Sequence, residues 1–470
     1  MVTFFLSIAA LILGYVFYGK FVEKVFGVDE GRQTCAVTMN DGVDYMPLDW
    51  KRSFLIQFLN IAGLGPIFGA VAGAYWGPAA FLWIVLGSIF AGGVHDFFAG
   101  MLSVRHNGET IAEIVGRYLG TTAQNVMRVF SVVLLVLVGV VFVTGPADIL
   151  VGITGWSKVT WIAIIISYYL LATVLPIDKL IAKIYPIFGA ALLFMGVGIT
   201  IGLIVKGYAI PEMTLANLHP GGKAIFPFLF ITIACGAISG FHATQSPIMA
   251  RCLPNEKLGR RIFYGAMIAE GIIALIWAAA AMAFFGSTQA LSEAGSAAVV
   301  VKTISVGVLG GLGSVLALLG VVACPITSGD TAFRSARLAI ADAFDLKQEK
   351  YRNRFYIAIP LFAIGVSLMF IDFAIIWRYF AWANQTLAMI VLWTSAAYLV
   401  KNHSFHYIAS IPATFMTAVT MTYILIAPEG LKLPASFGYP VGIASAFLAF
   451  GWFMYKAAQQ NKKVLETVTQ

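Results

Sequence analysis

Long apolar segments recur along the whole chain, and shorter polar stretches separate them. A helix that crosses a bilayer needs about 20 apolar residues, and several of the segments reach that length. Because every backbone polar group must be paired inside the membrane, each segment is predicted to be helical. The predicted spans are 2–19, 53–76, 78–103, 126–149, 159–177, 183–205, 224–250, 261–285, 308–336, 354–371, 373–398, 405–427 and 437–456. The pattern predicts an all-α polytopic membrane protein with about 13 transmembrane helices.

The second span is interrupted at its centre, where it reads Asn60-Ile61-Ala62-Gly63-Leu64-Gly65-Pro66-Ile67. Pro66 has no backbone N–H to donate, and the glycines supply no side chain, so nearby backbone groups need partners outside the helix. In lipid such a break is stable only beside a cavity, a bound ligand or a neighbouring helix. A ligand site and a proline kink both fit this one segment.

The seventh span contains a second interruption, between Ile233 and Pro247. Spans two to six and spans seven to eleven thus form two units of opposite topology, each beginning with a broken helix. This arrangement is typical of secondary transporters whose site lies where the two repeats meet. The predicted units are an N-terminal helix and loop (1–52), two inverted five-helix repeats (53–206 and 207–400), and two C-terminal helices with a tail (401–470).

Composition and charge agree with a membrane protein. Hydrophobic residues make up 60% of the chain and charged residues 11%, whereas soluble domains have about 25% charged residues. Lysine and arginine collect after the odd-numbered spans, which predicts an N-terminus outside and a C-terminus in the cytoplasm. The few basic residues on the other side are Lys158, Lys206, Lys223, Lys302 and Lys432. This distribution accounts for the net charge of +8 without a nucleic acid partner.

The sequence contains no motif that predicts an enzyme or a cofactor. Gly63-Leu64-Gly65 is not a dinucleotide-binding fingerprint, because no strand precedes it and the third glycine is missing. The four cysteines lack metal or redox spacing, and Cys235 and Cys324 are interpreted as packing residues.

Five motifs, taken together, resemble the carbon starvation protein A family of bacterial transporters. They are Asn40-Asp41-Gly42-Val43-Asp44-Tyr45-Met46-Pro47, Ile61-Ala62-Gly63-Leu64-Gly65-Pro66-Ile67, Val94-His95-Asp96-Phe97, Cys235-Gly236-Ala237-Ile238-Ser239-Gly240-Phe241-His242 and Ala383-Asn384-Gln385. The resemblance implies secondary transport in the bacterial inner membrane, short peptides and pyruvate as substrate classes, and a LeuT-like fold with five-plus-five inverted repeats. Ile56-Gln57 departs from the paired histidines expected there, which argues against a coupling mechanism that uses them.

Substrate-binding residues are predicted at both breaks. Half-helix N-termini carry partial positive charge and free N–H groups, which suit the carboxylate shared by peptides and pyruvate. The predicted set is Asn60, Gly63, Gly65, Pro66, Ser239, Gly240, His242, Gln245, Ser246, Asn384 and Gln385. For its polar members the alternative is bonding to the broken backbone, and Asn384-Gln385 fits either an interhelical pair or a gate.

Ionisable residues inside a membrane are costly and are candidates for ion coupling. His95 and Asp96 lie roughly two turns from the inner end of their span, and Glu270 lies near the midplane. At that depth burial favours a protonated carboxyl, which suits proton coupling. The alternatives are an ion pair or a helix cap for Asp96, and a neutral acid hydrogen-bonded between helices for Glu270.

The ninth span offers sodium as a second candidate ion. Thr327, Ser328 and Asp330 lie beside a glycine, and with carbonyls freed at the first break they would form a hard oxygen site. The alternative is local: hydroxyls bonded within their own helix, and Asp330 paired with Arg334.

The sequence therefore predicts an importer of small carboxylate-bearing nutrients that works by alternating access and uses a proton or sodium ion. A sensor that binds the same ligand without net transport, and a channel, are the alternatives. No soluble output module is evident in the sequence, and inverted broken helices favour an occluded site over a continuous pore. The last two spans are interpreted as scaffold or as the surface of a homo-oligomer.

Overall fold

A computed structural model of the chain describes residues 1–42, 44–174, 178–344, 346 and 351–468. Most of this part is helical. The first helices are α1 (Val2–Phe26), α2 (Trp50–Ile61), α3 (Gly65–Trp76), α4 (Ala79–Arg105), α5 (Ile111–Leu119), α6 (Thr121–Thr154), α7 (Lys158–Val174) and α8 (Asp178–Val205). They are followed by α9 (225–236), α10 (Gly240–Ala250), α11 (Glu256–Phe285), α12 (Ala297–Leu309), α13 (Gly311–Ala341), α14 (Tyr351–Leu368), α15 (Phe373–Lys401), α16 (Tyr407–Ile426) and α17 (Ala435–Val468).

Within the described residues, ten helical segments are long and apolar enough to cross a membrane, and the bent pair α2–α3 makes an eleventh. The other two predicted spans correspond to α7, whose apolar part is shorter, and to α14. A helix therefore lies at each of the thirteen expected places, although only about eleven meet the length and composition of a full span. The protein is a multi-pass membrane protein.

α12 lies between α11 and α13, where the sequence predicts only a connection. It has 13 residues, short of the roughly 20 that cross a bilayer. Ser296 begins it by accepting a hydrogen bond from the Val299 N–H at 3.4 Å. Its buried side packs against α6 and α8. The segment is therefore a short helix that packs on the bundle and does not cross the membrane.

α6 runs through the centre of the bundle. It has 34 residues and packs against α13 and α15, with further contacts to α7, α10 and α12. The middle of α6, residues 134–143, is buried on every face. A helix that is apolar all round is expected in such a core position.

Residues 27–42 and 44–48 cross one end of the bundle, which is named here the basic end. The N–H groups of Met46 and Leu48 donate to the carbonyl oxygens of Arg251 and Cys252, at 3.2 and 3.0 Å. These bonds tie the segment that precedes α2 to the segment that follows α10. α2 and α10 are thereby joined at the basic end. They are named here the two inner half-helices, because they lie between the breaks and this end.

Arg105 connects four segments at the same end. Its guanidinium donates to both carboxylate oxygens of the buried Glu256, at 3.1 and 3.0 Å, and to the Gly27 carbonyl at 2.6 Å. It also donates to the Tyr398 hydroxyl and lies 4.1 Å from the centre of the Phe26 ring. Arg105 therefore holds together the ends of four helices, α1, α4, α11 and α15.

Candidate functional site

The first break separates α2 from α3 at residues 62–64. α2 begins behind Asp49, whose carboxylate accepts from the Lys51 and Arg52 N–H groups at 3.0 and 3.2 Å. The axes of α2 and α3 differ by 54°. Pro66 lies in the first turn of α3, where a missing N–H costs nothing. The predicted interruption of the second span is confirmed.

Glycines on one face of α3 allow a close approach to α9. A Cβ on Gly65 would lie 2.4 Å from Cβ of Cys235, and one on Gly69 would lie 2.4 Å from the carbonyl oxygen of Ile233. Gly73, one turn further, would meet the Ile233 side chain at the same distance. The two half-helices on this side therefore pack backbone against backbone. Substrate contact through Gly65 stays a prediction.

The space between the two breaks is filled by the ring of Phe142 from α6. A Cβ on Gly63 would lie 2.5 Å from Cζ of Phe142. On its other side the Phe142 ring meets the Phe241 ring edge to face, with the centroids 6.0 Å apart. Gly63 thus packs against the Phe142 ring, and substrate contact through Gly63 stays a prediction.

The second break lies between α9 and α10. Ser239 has an extended backbone, with φ −147° and ψ 120°, and α10 begins at Gly240. The carboxamide oxygen of Asn384, from α15, accepts hydrogen bonds from the Phe241 N–H at 2.7 Å and from the Ser239 hydroxyl at 3.1 Å. Asn384 therefore caps the half-helix, which agrees with the interhelical interpretation of this residue.

Cys235 belongs to the same polar network, so its interpretation as a packing residue is incomplete. Its thiol sulfur accepts from the Asn384 carboxamide at 3.1 Å and lies 3.3 Å from the Ser239 hydroxyl oxygen. The thiol replaces a hydroxyl as the acceptor that holds Asn384 in place. The sequence does not reveal this role, because Asn384 comes from a segment far along the chain from Cys235 and Ser239.

Removal of the Asn384 carboxamide is expected to destabilise the second break. In Asn384→Ala the Phe241 N–H and the Ser239 hydroxyl lose their acceptor, and loss of a helix cap costs about 1–2 kcal/mol of unfolding free energy. Thermal unfolding of the purified protein in detergent measures this loss. Asn402→Ala removes the same group from the exposed end of α15 and should change stability by less than about 0.5 kcal/mol. Equal stability of the two variants would contradict the assigned cap.

Two histidines and two carboxyl groups form a fully buried chain across α4, α10 and α11. Asp96 accepts from His95 Nδ1 at 2.7 Å through one oxygen, and its other oxygen lies 2.8 Å from His242 Nδ1. His242 Nε2 lies 3.2 Å from an oxygen of Glu270. All four side chains have 0% exposure. The structure thus brings together His95, Asp96 and Glu270, and adds His242, which sequence analysis assigned to substrate.

Some nitrogen and oxygen atoms of these four side chains have no partner among the described residues, so they can still bind protons. Among the described residues, the ion pairs of Asp96 and Glu270 are made with histidine alone. The His242–Glu270 contact is short but poorly aligned, and neither Glu270 oxygen has a hydrogen-bond partner within the described chain. The same holds for His95 Nε2. Because these groups lie so close together, their protonation states depend on one another.

The predicted sodium residues make local bonds. Thr327 and Ser328 both donate to the Cys324 carbonyl of their own helix, at 2.7 and 3.2 Å. Asp330 lies 3.3 Å from the guanidinium of Arg334, one turn along α13. These contacts agree with the local alternative for the ninth span. A sodium site there stays a prediction.

The remaining predicted substrate residues lie around the two breaks, but each makes its own contacts and no common contact brings them together. Ser246 donates to the His242 carbonyl at 2.9 Å, within its own helix. The Gln245 amide donates to Thr244, and the Gln385 amide lies 3.4 Å from the Phe230 carbonyl of α9. Asn60 is buried at the end of α2. Their substrate roles stay predictions.

Solved structures support this architecture. Mhp1 in its inward-facing conformation is similar with a TM-score of 0.54 and 16% identity, over 87% of this chain and 90% of that one. Mhp1 in a closed conformation with bromovinylhydantoin bound, described as a nucleobase-cation-symport-1 family transporter, gives 0.54 and 17%, over 88% and 95%. At this identity the likeness concerns the fold. The broken helices and the buried cluster define a secondary transporter with a LeuT-like fold.

The chain belongs to the carbon starvation protein CstA family, whose model matches residues 1–154 and 146–305. An uncharacterized membrane protein of Haemophilus influenzae is 46% identical over 351 residues, which cover 63% of this chain and 95% of that protein. The Escherichia coli peptide transporter CstA is 29% identical and the E. coli pyruvate/proton symporter BtsT 31% identical, each over 57% of this chain. The aligned parts are 48% and 47% of those two proteins, so the chain spans about half their length.

Proposed function

We propose that this protein is a proton-coupled symporter that imports small carboxylate-bearing solutes, of the short-peptide or pyruvate type, across the bacterial inner membrane. Support for the substrate class comes from the relatives named as a peptide transporter and a pyruvate/proton symporter. The LeuT-like fold supports alternating access. A sensor is less well supported, because the relatives and the structural neighbours are transporters.

The observation that carries the proton assignment is the buried chain Asp96–His242–Glu270. Two carboxyl groups flank one imidazole in a fully buried place, where ionised groups are costly. A proton that enters this cluster neutralises a charge, and a proton that leaves restores it, so the free energy of the cluster depends strongly on its proton count. Because His242 lies one turn into α10, the proton count acts on the half-helix that closes the second break. Protonation and helix position are thereby coupled.

The substrate carboxylate is assigned to the N-terminal end of α10. That end already holds a neutral oxygen, the Asn384 carboxamide, on the Phe241 N–H and the Ser239 hydroxyl. An anionic oxygen is a stronger acceptor for the same donors and gains from the helix dipole. We therefore place the solute where it replaces Asn384 on these donors, next to the cluster that holds the proton.

The proposed orientation puts the basic end in the cytoplasm and the N-terminus outside. Support comes from the arginines gathered there: Arg32, Arg52, Arg105, Arg251, Arg260 and Arg261. Such clustering follows the positive-inside rule. Opening of the basic end then releases solute into the cell.

Uptake into proteoliposomes tests the function. Labelled pyruvate and a labelled dipeptide are offered separately, with a pH gradient or a sodium gradient imposed alone, for the unaltered protein and for Asp330→Asn. Accumulation driven by the pH gradient and retained in Asp330→Asn is the expected result. Sodium-driven accumulation that is lost in this variant would identify sodium, and not the proton, as the coupling ion. Binding without movement of either solute would favour a sensor, and passive flux a channel.

A further inference from the structure

Three buried polar side chains near the basic end have atoms without hydrogen-bond partners. They are the hydroxyl of Ser53, both amide atoms of Gln57 and the amide oxygen of Gln245. Their side chains are 0–1% exposed, and within the described chain nothing pairs with these atoms. Buried polar groups are nearly always paired in folded proteins, so such a concentration requires a reason.

The helical period places Ser53 and Gln57 on one face of α2. They are four residues apart, which at about 100° per residue keeps them close to the same side. Leu59 packs on Gly189 of α8 from nearly the opposite side, and Phe54 lies against Gly265 of α11. The remaining helix that packs closely on α2 is α10. Ser53 and Gln57 therefore lie on the side of α2 that faces α10.

Gln245 occupies the matching side of α10. Phe241 faces Phe142 of α6, and His242 faces Glu270 of α11. Gln245 comes one turn after both residues, so it lies between the directions of α6 and α11. α2 packs there, because it packs on α11 and because Gly63, two residues beyond its C-terminal end, lies against Phe142 of α6. The three unpartnered side chains thus line the interface between the two inner half-helices.

This interface is closed at the basic end by the backbone bonds of residues 46 and 48 to residues 251 and 252. In the closed interface the Gln57 carboxamide, the Gln245 amide oxygen and the Ser53 hydroxyl lack partners, which raises the free energy of the closed interface. When α2 and α10 part, water or a solute pairs with these groups, and that free energy is recovered. The unpaired groups therefore favour opening of the interface between α2 and α10.

We propose that Ser53, Gln57 and Gln245 form an inner subsite for the carboxylate-bearing solute. The solute contacts this subsite on its way from the breaks to the cytoplasm. This inference rests on the proposed transport function. The Ser53 hydroxyl and the Gln57 amide N–H can donate to a carboxylate, and the unpartnered Gln245 oxygen can accept from a donor group of the solute or from water. Because these groups are neutral, they hold the solute weakly enough to release it. The subsite is separate from the α10 terminus and from the proton cluster.

Gln57→Leu tests the energetic side of the inference. An apolar group of similar size removes two unpartnered atoms from the closed interface, so the melting temperature should rise while kcat for uptake falls at least about tenfold, with KM changed by less than about twofold. Gln289→Leu makes the same replacement at an exposed position and should change neither quantity. A lower melting temperature, or an unchanged kcat in a protein that transports, would overturn the proposal.

Thiol labelling tests the opening without any need for transport. Gln57→Cys and Leu59→Cys are compared in inside-out vesicles with a membrane-impermeant maleimide, above the labelling of the unaltered chain. Gln57→Cys should react and Leu59→Cys, two residues away on the opposite face, should stay protected. Protection of both cysteines would contradict the proposed opening between α2 and α10. If the unaltered protein moves neither pyruvate nor dipeptide yet Gln57→Cys reacts, the proposed substrates fail while the opening stands.

Discussion

Replacement of Asp96 by asparagine is expected to abolish accumulation driven by a pH gradient and to leave exchange of solute intact. Asparagine keeps the size of the side chain and can bond to His95 and His242, so the fold survives. It cannot take up or release the proton that links the solute to the gradient. With one proton per solute, a gradient of one pH unit supports about tenfold accumulation, because about 1.4 kcal/mol corresponds to a factor of ten. In Asp96→Asn this ratio should fall to about one.

The measurement compares net accumulation with counterflow in the same proteoliposomes. Asp148→Asn is the matched control, because Asp148 pairs with Lys158 at 2.8 Å in a partly exposed position on α6, which contributes no residue to the cluster. It should accumulate solute like the unaltered protein. If Asp96→Asn still concentrates solute under the pH gradient, the proton does not pass through this cluster. Loss of counterflow together with accumulation would mean that Asp96 serves solute binding or folding instead.

Replacement of Gly69 by alanine is expected to cost about 1–3 kcal/mol of stability, the range for overpacking a filled core, and to reduce uptake at least about tenfold. The added methyl would meet the Ile233 carbonyl at 2.4 Å, and a backbone atom cannot rotate away as a side chain can. α3 and α9 must then separate, which displaces both breaks at once.

Thermal unfolding in detergent, followed by uptake measurement, checks this expectation. Gly451→Ala is the control, since a Cβ at this exposed position of α17 would have no atom within 4 Å. It should match the unaltered protein in both assays. Full stability and uptake in Gly69→Ala would show that the close packing of α3 on α9 is not required.

The broken helices were predictable because their signals are local. Gly63, Gly65 and Pro66 interrupt an apolar span within a few residues, and Ser239 to Pro247 does the same in the second repeat. Such local conflicts with helix formation are visible without any partner. The inverted relation followed from counting spans and basic loops. The fold was therefore largely accessible from the sequence.

The connections within the site were not accessible in the same way. Asp96, His242 and Glu270 each stand out as polar residues in apolar spans, yet the distance between them in sequence conceals that His242 bridges the two acids. Asn384 was recognised as a polar residue, but its function as a cap depends on the position of α15 beside α10. The α12 helix was missed because a 13-residue apolar segment between two spans resembles a connection.

The ring of Phe142 has a consequence for the half of a symport cycle in which no cargo is carried. After release, the empty carrier must close again and return, and a rigid vacant pocket would then be enclosed as a void, which destabilises a protein roughly in proportion to its volume. Here the Phe142 ring fills the space between Gly63 and Phe241. In the proposed symport cycle the unloaded protein would close on its own side chain, so its return step would enclose no void of this kind.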